Sequence, residues 1–207
     1  MKISYAITVC NELVEIQKLI PFLQKWIRDE DEIVVLYDSK NGDTKVEEYL
    51  RANSVNPTYS WHSGEFDGHF ADWKNKLTDL CNGDYIFQID ADEIPNEILI
   101  SNLPDILQVN DVDVILVPRV NTVEGLTQEH IQKWGWKVDD KGWVNWPDPQ
   151  WRVYKKSESI RWINKVHEKL DGFETMSNLP WDEGLALYHH KDIDRQEKQN
   201  EYYDTLV

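Results

Sequence analysis

Tyr85-Ile86-Phe87-Gln88-Ile89-Asp90-Ala91-Asp92-Glu93 is the stretch that decides the fold. It opens as an apolar, β-forming run of the kind buried on both faces of a sheet. It then stops abruptly in carboxylates at 90, 92 and 93. Like charges set side by side cost free energy unless something positive stands between them. A divalent cation does this, and hard oxygen ligands select Mg²⁺, Mn²⁺ or Ca²⁺. The competing reading is a solvated acidic turn that caps the next helix.

The same pattern recurs on either side. Ile3 to Val9 is an apolar β-forming run that ends in Asn11-Glu12, and Ile33-Val34-Val35-Leu36 ends in Asp38-Ser39-Lys40-Asn41. Between the runs, Leu13, Ile16, Leu19, Ile20, Leu23 and Ile27 repeat at helical spacing. Asp43-Thr44 starts a second helix through Asn53. Tyr59-Ser60-Trp61 is a short strand, Phe70 to Leu80 a helix closed by Asn82-Gly83, Asn96 to Gln108 a helix, and Val112 to Val117 a strand stopped by Pro118. Strands alternating with helices predict an α/β fold with a mostly parallel, Rossmann-like sheet flanked by helices. Ligands in such folds bind beyond the carboxyl ends of strands, where all three polar clusters fall.

The second half is irregular and rich in tryptophan. Seven of the ten tryptophans (134, 136, 143, 146, 151, 162 and 181) lie there. Most are expected to be core or cavity wall, with about two near an acceptor in the concave site. A short helix is expected near 127–134, strands at 150–154 and 185–189, and a polar helix from Asp194 to the end. We expect one domain over 1–207, in two halves, 1–120 and 121–207.

Composition narrows the function. The chain has 207 residues, 41% of them hydrophobic, enough for a sizeable core. Net charge is 22 − 38 = −16, which repels phosphate backbones and anionic lipids. No Lys/Arg run offsets it, so nucleic acid is not an expected partner. No apolar run approaches the roughly 20 residues of a membrane span. Met1 to Cys10 reads as a buried strand and not an export signal. Only Cys10 and Cys81 occur, without a CxxC spacing, which suits a reduced cytoplasm, or a host cytoplasm for a viral chain.

Asp90-Ala91-Asp92-Glu93 after an aromatic-aliphatic strand resembles the DxD motif of family 2 glycosyltransferases with the GT-A fold. Ile7-Thr8-Val9-Cys10-Asn11-Glu12 and Asp31 to Asp38 resemble their first two strands. Phe70-Ala71-Asp72-Trp73-Lys74-Asn75 resembles the helix written F-A-x-x-R-N. Gln150-Trp151-Arg152-Val153-Tyr154 and Val166-His167-Glu168 resemble the R-[LI]-[FY] and V-H-E signatures of a bacterial and phage branch. The order holds over roughly residues 3–190. Two positions depart: Lys74 replaces an arginine, which turns a bidentate contact into a point charge. Asp43-Thr44 follows Asp38 after an altered insertion.

The resemblance implies a metal-dependent transferase that moves a sugar from a nucleotide-diphosphate sugar, UDP-sugar first, to an acceptor hydroxyl with inversion. The acceptor would be a glycan, a protein or a small molecule. It implies that Thr8, Asn11, Glu12 and Asp38 hold the nucleoside, and that Lys74, Asn75, Asp90 and Arg152 serve the donor. Mn²⁺ or Mg²⁺ would be held by Asp90, Asp92 and a late histidine, His189 or His190. The acceptor's proton needs a carboxylate base, for which Glu168, Asp148 and Asp182 are candidates, Glu168 first. Competing readings are a sugar-phosphate nucleotidyltransferase, which would want a Gly-rich basic loop after the first strand, and a carbohydrate- or nucleotide-sugar-binding module.

Overall fold

A computed structural model describes residues 1–204. Four parallel strands run side by side: β1 (Ile3–Val9), β2 (Glu32–Asp38), β3 (Tyr59–Gly64) and β4 (Tyr85–Asp90). In β1, β2 and β4 the side chains alternate between two buried faces, as the pleat requires. Ile3, Tyr5, Ile7, Ile33, Val35, Phe87 and Ile89 enter one core, and Ala6, Val34, Leu36 and Ile86 enter the other.

Helix α1 (Leu13–Trp26) buries Ile16, Leu19, Ile20 and Leu23 against the first core. Helix α2 (Thr44–Ala52) starts at Asp43, whose carboxylate accepts from the Lys45 amide at 2.9 Å, and adds Val46 and Leu50 to that core. Helix α3 (Phe70–Leu80) covers the opposite face, burying Ala71, Trp73, Lys74 and Leu77.

The second half adds strands to this sheet and builds two smaller ones. After β5 (Glu93–Pro95), helix α4 (Glu97–Val109) leads to β6 (Val114–Val117), β7 (Arg119–Glu124) and helix α5 (Gln128–Trp134). Next come β8 (Gln150–Lys155), β9 (Arg161–Ile163), β10 (Lys169–Asp171) and β11 (Met176–Asn178). The main sheet has the order β11-β6-β8-β4-β1-β2-β3. Strand β8 is antiparallel to both neighbours; the other strands share one direction. The mostly parallel α/β sheet is therefore as expected, but the 150–154 strand lies inside it, between β6 and β4. Arg152, Val153 and Tyr154 are buried, so β8 reads by burial as a core strand.

Strand β12 (Leu187–Asp192) pairs with β5 and β7 in a smaller sheet, and helix α6 (Ile193–Asp204) follows. The expected strand at 185–189 thus begins later, because Glu183–Leu185 forms a 3₁₀ turn. Pro118 separates β6 from β7, whose edge belongs to the smaller sheet. The end of the expected C-terminal helix, from 205 on, lies outside the described residues. Among the described residues, no helix is long and apolar enough to cross a membrane.

Candidate functional site

The order of the main sheet places β1 between β4 and β2, and Thr8 is the register partner of Asp90. The carboxyl ends of β1, β2 and β4 therefore open together into a cavity of about 910 Å³. Thr8, Asn11, Glu12, Asp38, Lys74, Asp90, Asp92, Asp148, Arg152, Glu168 and His189 all line it. Residues from both halves of the chain meet there because β8 and β12 come back beside β4 and β5.

The acidic cluster is compensated by the protein's own cations. Arg152 Nη2 donates to Asp90 Oδ2 at 2.6 Å and to Glu93 Oε1 at 2.7 Å. Arg119 Nη1 reaches Glu93 at 2.9 Å, and Lys74 Nζ stands 3.7 Å from Asp90 Oδ1. Asp92 Oδ2 faces His189 Nε2 at 3.2 Å, Arg195 at 3.4 Å and Lys191 at 4.0 Å. Burial alone would raise the Asp90 carboxyl, but Arg152 and Lys74 outweigh it and hold it at about 2. Burial likewise opposes the charge on Asp92, yet His189, Lys191 and Arg195 keep it well below the usual range. Side chains far along the chain thus supply positive charge beside this strand end.

The wall as a whole is balanced. Glu12, Asp38, Asp90, Asp92, Asp148 and Glu168 face Lys74, Arg119, Arg152, Lys191, Arg195 and Lys198. In a chain of net charge −16, six cations gathered in one cavity make it the place where an anion can enter. Arg152 keeps a buried Nε with no hydrogen-bond partner among the described residues. Its charge is reinforced by Asp90 and Glu93 against the cost of burial.

Asp38 is held by its own loop. Its Oδ1 accepts from the amides of Lys40 at 3.0 Å, Asn41 at 3.4 Å and Phe66 at 3.1 Å, and its Oδ2 accepts from Asn41 Nδ2 at 2.8 Å. Burial would raise this carboxyl, but these donors hold it below the ordinary value. The altered insertion packs tightly: a Cβ at Gly42 would stand 2.3 Å from the Asp38 carbonyl oxygen. Only glycine allows that approach.

Glu168 is ion-paired to Lys74 at 2.5 Å. Asp148 accepts from Arg119 Nε at 2.9 Å, Asn121 Nδ2 at 2.6 Å and Gln150 Nε2 at 2.9 Å. Asn145, Asp148 and His167, all in the cavity wall, hold left-handed backbone with φ of 54°, 41° and 53°. Such strain costs of order 1–3 kcal/mol and gathers at functional sites.

Three expected site residues stand elsewhere. Asn75 spends its amide on the backbone of Trp162, donating at 2.9 Å and accepting at 2.9 Å, and so ties α3 to β9. Asp182 caps the 3₁₀ turn through the Gly184 amide at 2.7 Å and lies outside the cavity lining. His190 is not among the lining residues and meets Thr122 Oγ1, which is, at 2.8 Å. Asp90 has one oxygen on Arg152 and the other facing Lys74, so little of it is free for a metal.

Sequence reading missed Arg119, Asn121, Lys191 and Arg195. One signal was available: Leu187, His189 and Lys191 alternate with exposed neighbours along β12, so His189 and Lys191 share a buried face. Four tryptophans line the cavity, Trp73, Trp136, Trp151 and Trp162, whereas Trp181 is exposed.

This architecture has known counterparts. The fold is shared with S. aureus TarS. Over 92% of this chain, the crystal structure of TarS 1-349 in complex with UDP superposes with a TM-score of 0.66 at 14% identity. The complex of the same protein with UDP-GlcNAc gives 0.63 at 16% identity, again over 92% of this chain. The chain spans 60% and 59% of those two TarS chains, and 37% of the longer TarS structure, which superposes with a TM-score of 0.62 at 14% identity. By sequence, the chain matches no protein-family model and no curated protein.

The residues also bear on a divalent ion. Two donors cis to each other on one cation, each at about 2.1 Å, stand about 3 Å apart. Asp92 Oδ2 and His189 Nε2, at 3.2 Å, fit that span. Among the described residues no group of three or more His, Cys, Asp and Glu side chains could hold an ion, so further ligands would have to come from a bound phosphate or water.

Proposed function

We propose that this chain is a nucleotide-sugar-dependent glycosyltransferase of the GT-A type, resembling family 2, which transfers a hexosyl group from a UDP-sugar to the hydroxyl of a glycan, protein or small-molecule acceptor. The observation that carries the reading is the convergence of Thr8, Asp38, Asp90 and Asp92 at the carboxyl ends of three neighbouring strands, closed by His189 from the second half. The fold shared with TarS, whose crystals hold UDP and UDP-GlcNAc, supports it. The two halves, 1–120 and 121–207, act as one catalytic unit in this reading, and the two unpaired cysteines suit a reduced cytoplasm.

In this reading Thr8, Asn11, Glu12 and the Asp38 loop receive the nucleoside. Lys191, Arg195, Arg152 and Lys74 face the diphosphate. Asp92 and His189 would hold Mn²⁺ or Mg²⁺, which when bound offsets the charge of the leaving diphosphate. Glu168 takes the proton from the acceptor hydroxyl as its oxygen bonds to the anomeric carbon, and the bond to the donor phosphate breaks with its electron pair leaving on UDP. Attack from the face opposite the phosphate inverts the anomeric centre.

Thermal-shift titration with a panel of nucleotide sugars, with and without Mn²⁺, tests the reading. A ligand bound only by the folded state raises the melting temperature. Stabilisation by UDP-sugars is expected; no stabilisation by any nucleotide or nucleotide sugar ends the proposal. Turnover of the stabilising donor separates an enzyme from a binding module.

A further inference from the structure

Helix α5 buries none of its residues, although it carries Ile131 and Trp134. What it supports is a stack of rings. His130 lies nearly parallel to Trp134, with centroids 5.2 Å apart and planes at 13°, and Trp134 packs on Trp136 at 4.6 Å. Gly135 turns the chain between the two indoles in left-handed backbone, with φ of 65°. Trp136 ends the stack, half-buried, and lines the cavity. Its position is fixed by the backbone around it. The Trp136 amide donates to the Ile131 carbonyl at 3.0 Å. The next residue, Lys137, exchanges two bonds with Asn145: its amide donates to Asn145 Oδ1 at 2.9 Å, and its carbonyl accepts from the Asn145 amide at 2.7 Å. The Val144 amide donates to the Asn121 carbonyl at 2.9 Å and so ties this loop to β7.

These ties gather a patch unlike the rest of the wall. From 121 to 145 every lining residue is uncharged: Asn121, Thr122, Val123, Trp136, Val144 and Asn145. The charged lining residues all come from other segments. Two donors in the patch make no hydrogen bond among the described residues. One is Trp136 Nε1–H, in contrast to the same group of Trp61 and Trp162, which donates to Ser54 and Tyr154. The other is the Asn145 side-chain amide: its Oδ1 accepts from a backbone N–H, so the opposite end is the NH₂ group. A diphosphate or an ionised side chain gains nothing from an uncharged patch. An uncharged ligand with a flat apolar face and acceptors around its edge gains on both counts. A pyranose is such a ligand, with C–H groups on its face and hydroxyl oxygens at its rim.

We infer that the indole of Trp136 is the platform for a pyranose unit of the acceptor, with Trp136 Nε1–H and Asn145 Nδ2 donating to its hydroxyl oxygens, so that the acceptor is a saccharide. Helix α5 and the 137–145 pairing then have a task that core packing does not give them, which is to hold one ring rigidly in the wall. A ring ordered before the ligand arrives loses little freedom on binding. The platform shares one cavity with Glu168, the base of the proposed reaction. The word acceptor rests on that reading; the saccharide seat itself does not.

The test uses the full chain. Saturation-transfer NMR, with and without UDP, reports binding of the methyl glycosides of glucose, galactose, mannose and N-acetylglucosamine, and of an uncharged serine tripeptide. Calorimetry reports the affinity for UDP and for UDP-glucose. The expected result is a glycoside that binds the wild type through its ring C–H protons, weaker by about 5–30-fold in Trp136→Ala, with UDP affinity unchanged. Trp136→Phe keeps an apolar ring without the N–H and serves if Trp136→Ala does not fold; an intermediate loss is expected. Trp181→Ala removes an exposed ring outside the lining and is expected to match the wild type. Equal glycoside binding by the wild type and a folded Trp136 variant overturns the platform. So does a wild type that binds UDP but no glycoside, which leaves the donor reading intact. Tripeptide binding that depends on Trp136 assigns the patch to a protein and overturns the saccharide. If UDP-glucose loses affinity in Trp136→Ala while UDP does not, the ring holds the donor's own sugar and the acceptor role is overturned. A wild type that binds a glycoside through Trp136 but no UDP upholds the seat and defeats the donor reading alone.

Discussion

Lys74 Nζ stands 2.5 Å from Glu168 Oε1, and the same ammonium lies 3.7 Å from Asp90 Oδ1 and 4.7 Å above the Trp162 ring. A buried lysine on α3 thus joins a carboxylate of the first half to one of the second, over the face of an indole. A charge in this position strengthens every neighbour, because the surroundings screen it less than water does. The pair sits in the cavity wall, and in the proposed reaction Glu168 is the base.

Glu168→Gln is therefore expected to leave UDP affinity near the wild-type value and to lower kcat by about 10²–10⁴. Asp182→Asn is expected to be close to wild type, since Asn caps a turn as well as Asp does. Steady-state kinetics on the three proteins decides it; an active Glu168→Gln shows that the base lies elsewhere.

Asp92→Ala is expected to remove any dependence of UDP binding on Mn²⁺. Asp92 is the carboxylate that His189, Lys191 and Arg195 all address. Calorimetry with Mn²⁺ and with EDTA measures it. Equal affinities in the two conditions for the wild type exclude a metal at this seat and assign the diphosphate to Lys191 and Arg195.

Asp38→Ala is expected to loosen the 39–42 turn, because the amides of Lys40, Asn41 and Phe66 lose their acceptor together. Unmade hydrogen bonds of this kind cost about 1–3 kcal/mol. Both melting temperature and UDP affinity should fall, and titration with UDP, GDP and ADP should show the adenine nucleotide binding weakest in the wild type. Preference for ADP contradicts the assignment of this pocket.

Acid should weaken the protein through Glu32. Burial would raise this carboxyl, but donation from Lys2, Ser4 at 2.6 Å and the Asn82 amide at 2.5 Å holds it below its ordinary value of 4.5. A carboxyl lowered in the folded state contributes stability above its unfolded pKa and loses it as pH falls through the folded one. Glu32→Gln is expected to cost about 1–2 kcal/mol at neutral pH and to flatten the stability curve below about pH 4.5. Chemical denaturation between pH 7 and pH 3 is the measurement; parallel curves for the two proteins refute it.

The sequence by itself determined the parallel strands, because Ile3 to Val9, Ile33 to Leu36 and Tyr85 to Ile89 are apolar on both faces and must be covered on both. It also determined that Asn11-Glu12, Asp38 and Asp90 to Glu93 would share one edge, since parallel strands deliver their carboxyl ends to the same side. The helix start at Asp43 was legible from local hydrogen-bonding chemistry alone. Only the tertiary structure decided what neutralises the acidic strand end. Arg119, Arg152, Lys191 and Arg195 lie far along the chain, and nothing in their spacing names Asp90, Asp92 and Glu93 as their partners. The same holds for β8, whose place between β4 and β6 depends on pairing over long distances and not on its own residues. Local pattern fixes which face of an element is apolar; which charges meet across the cavity is settled by how the elements dock, and Asn75 and Asp182, drawn into a strand tie and a turn cap, went to the fold for that reason.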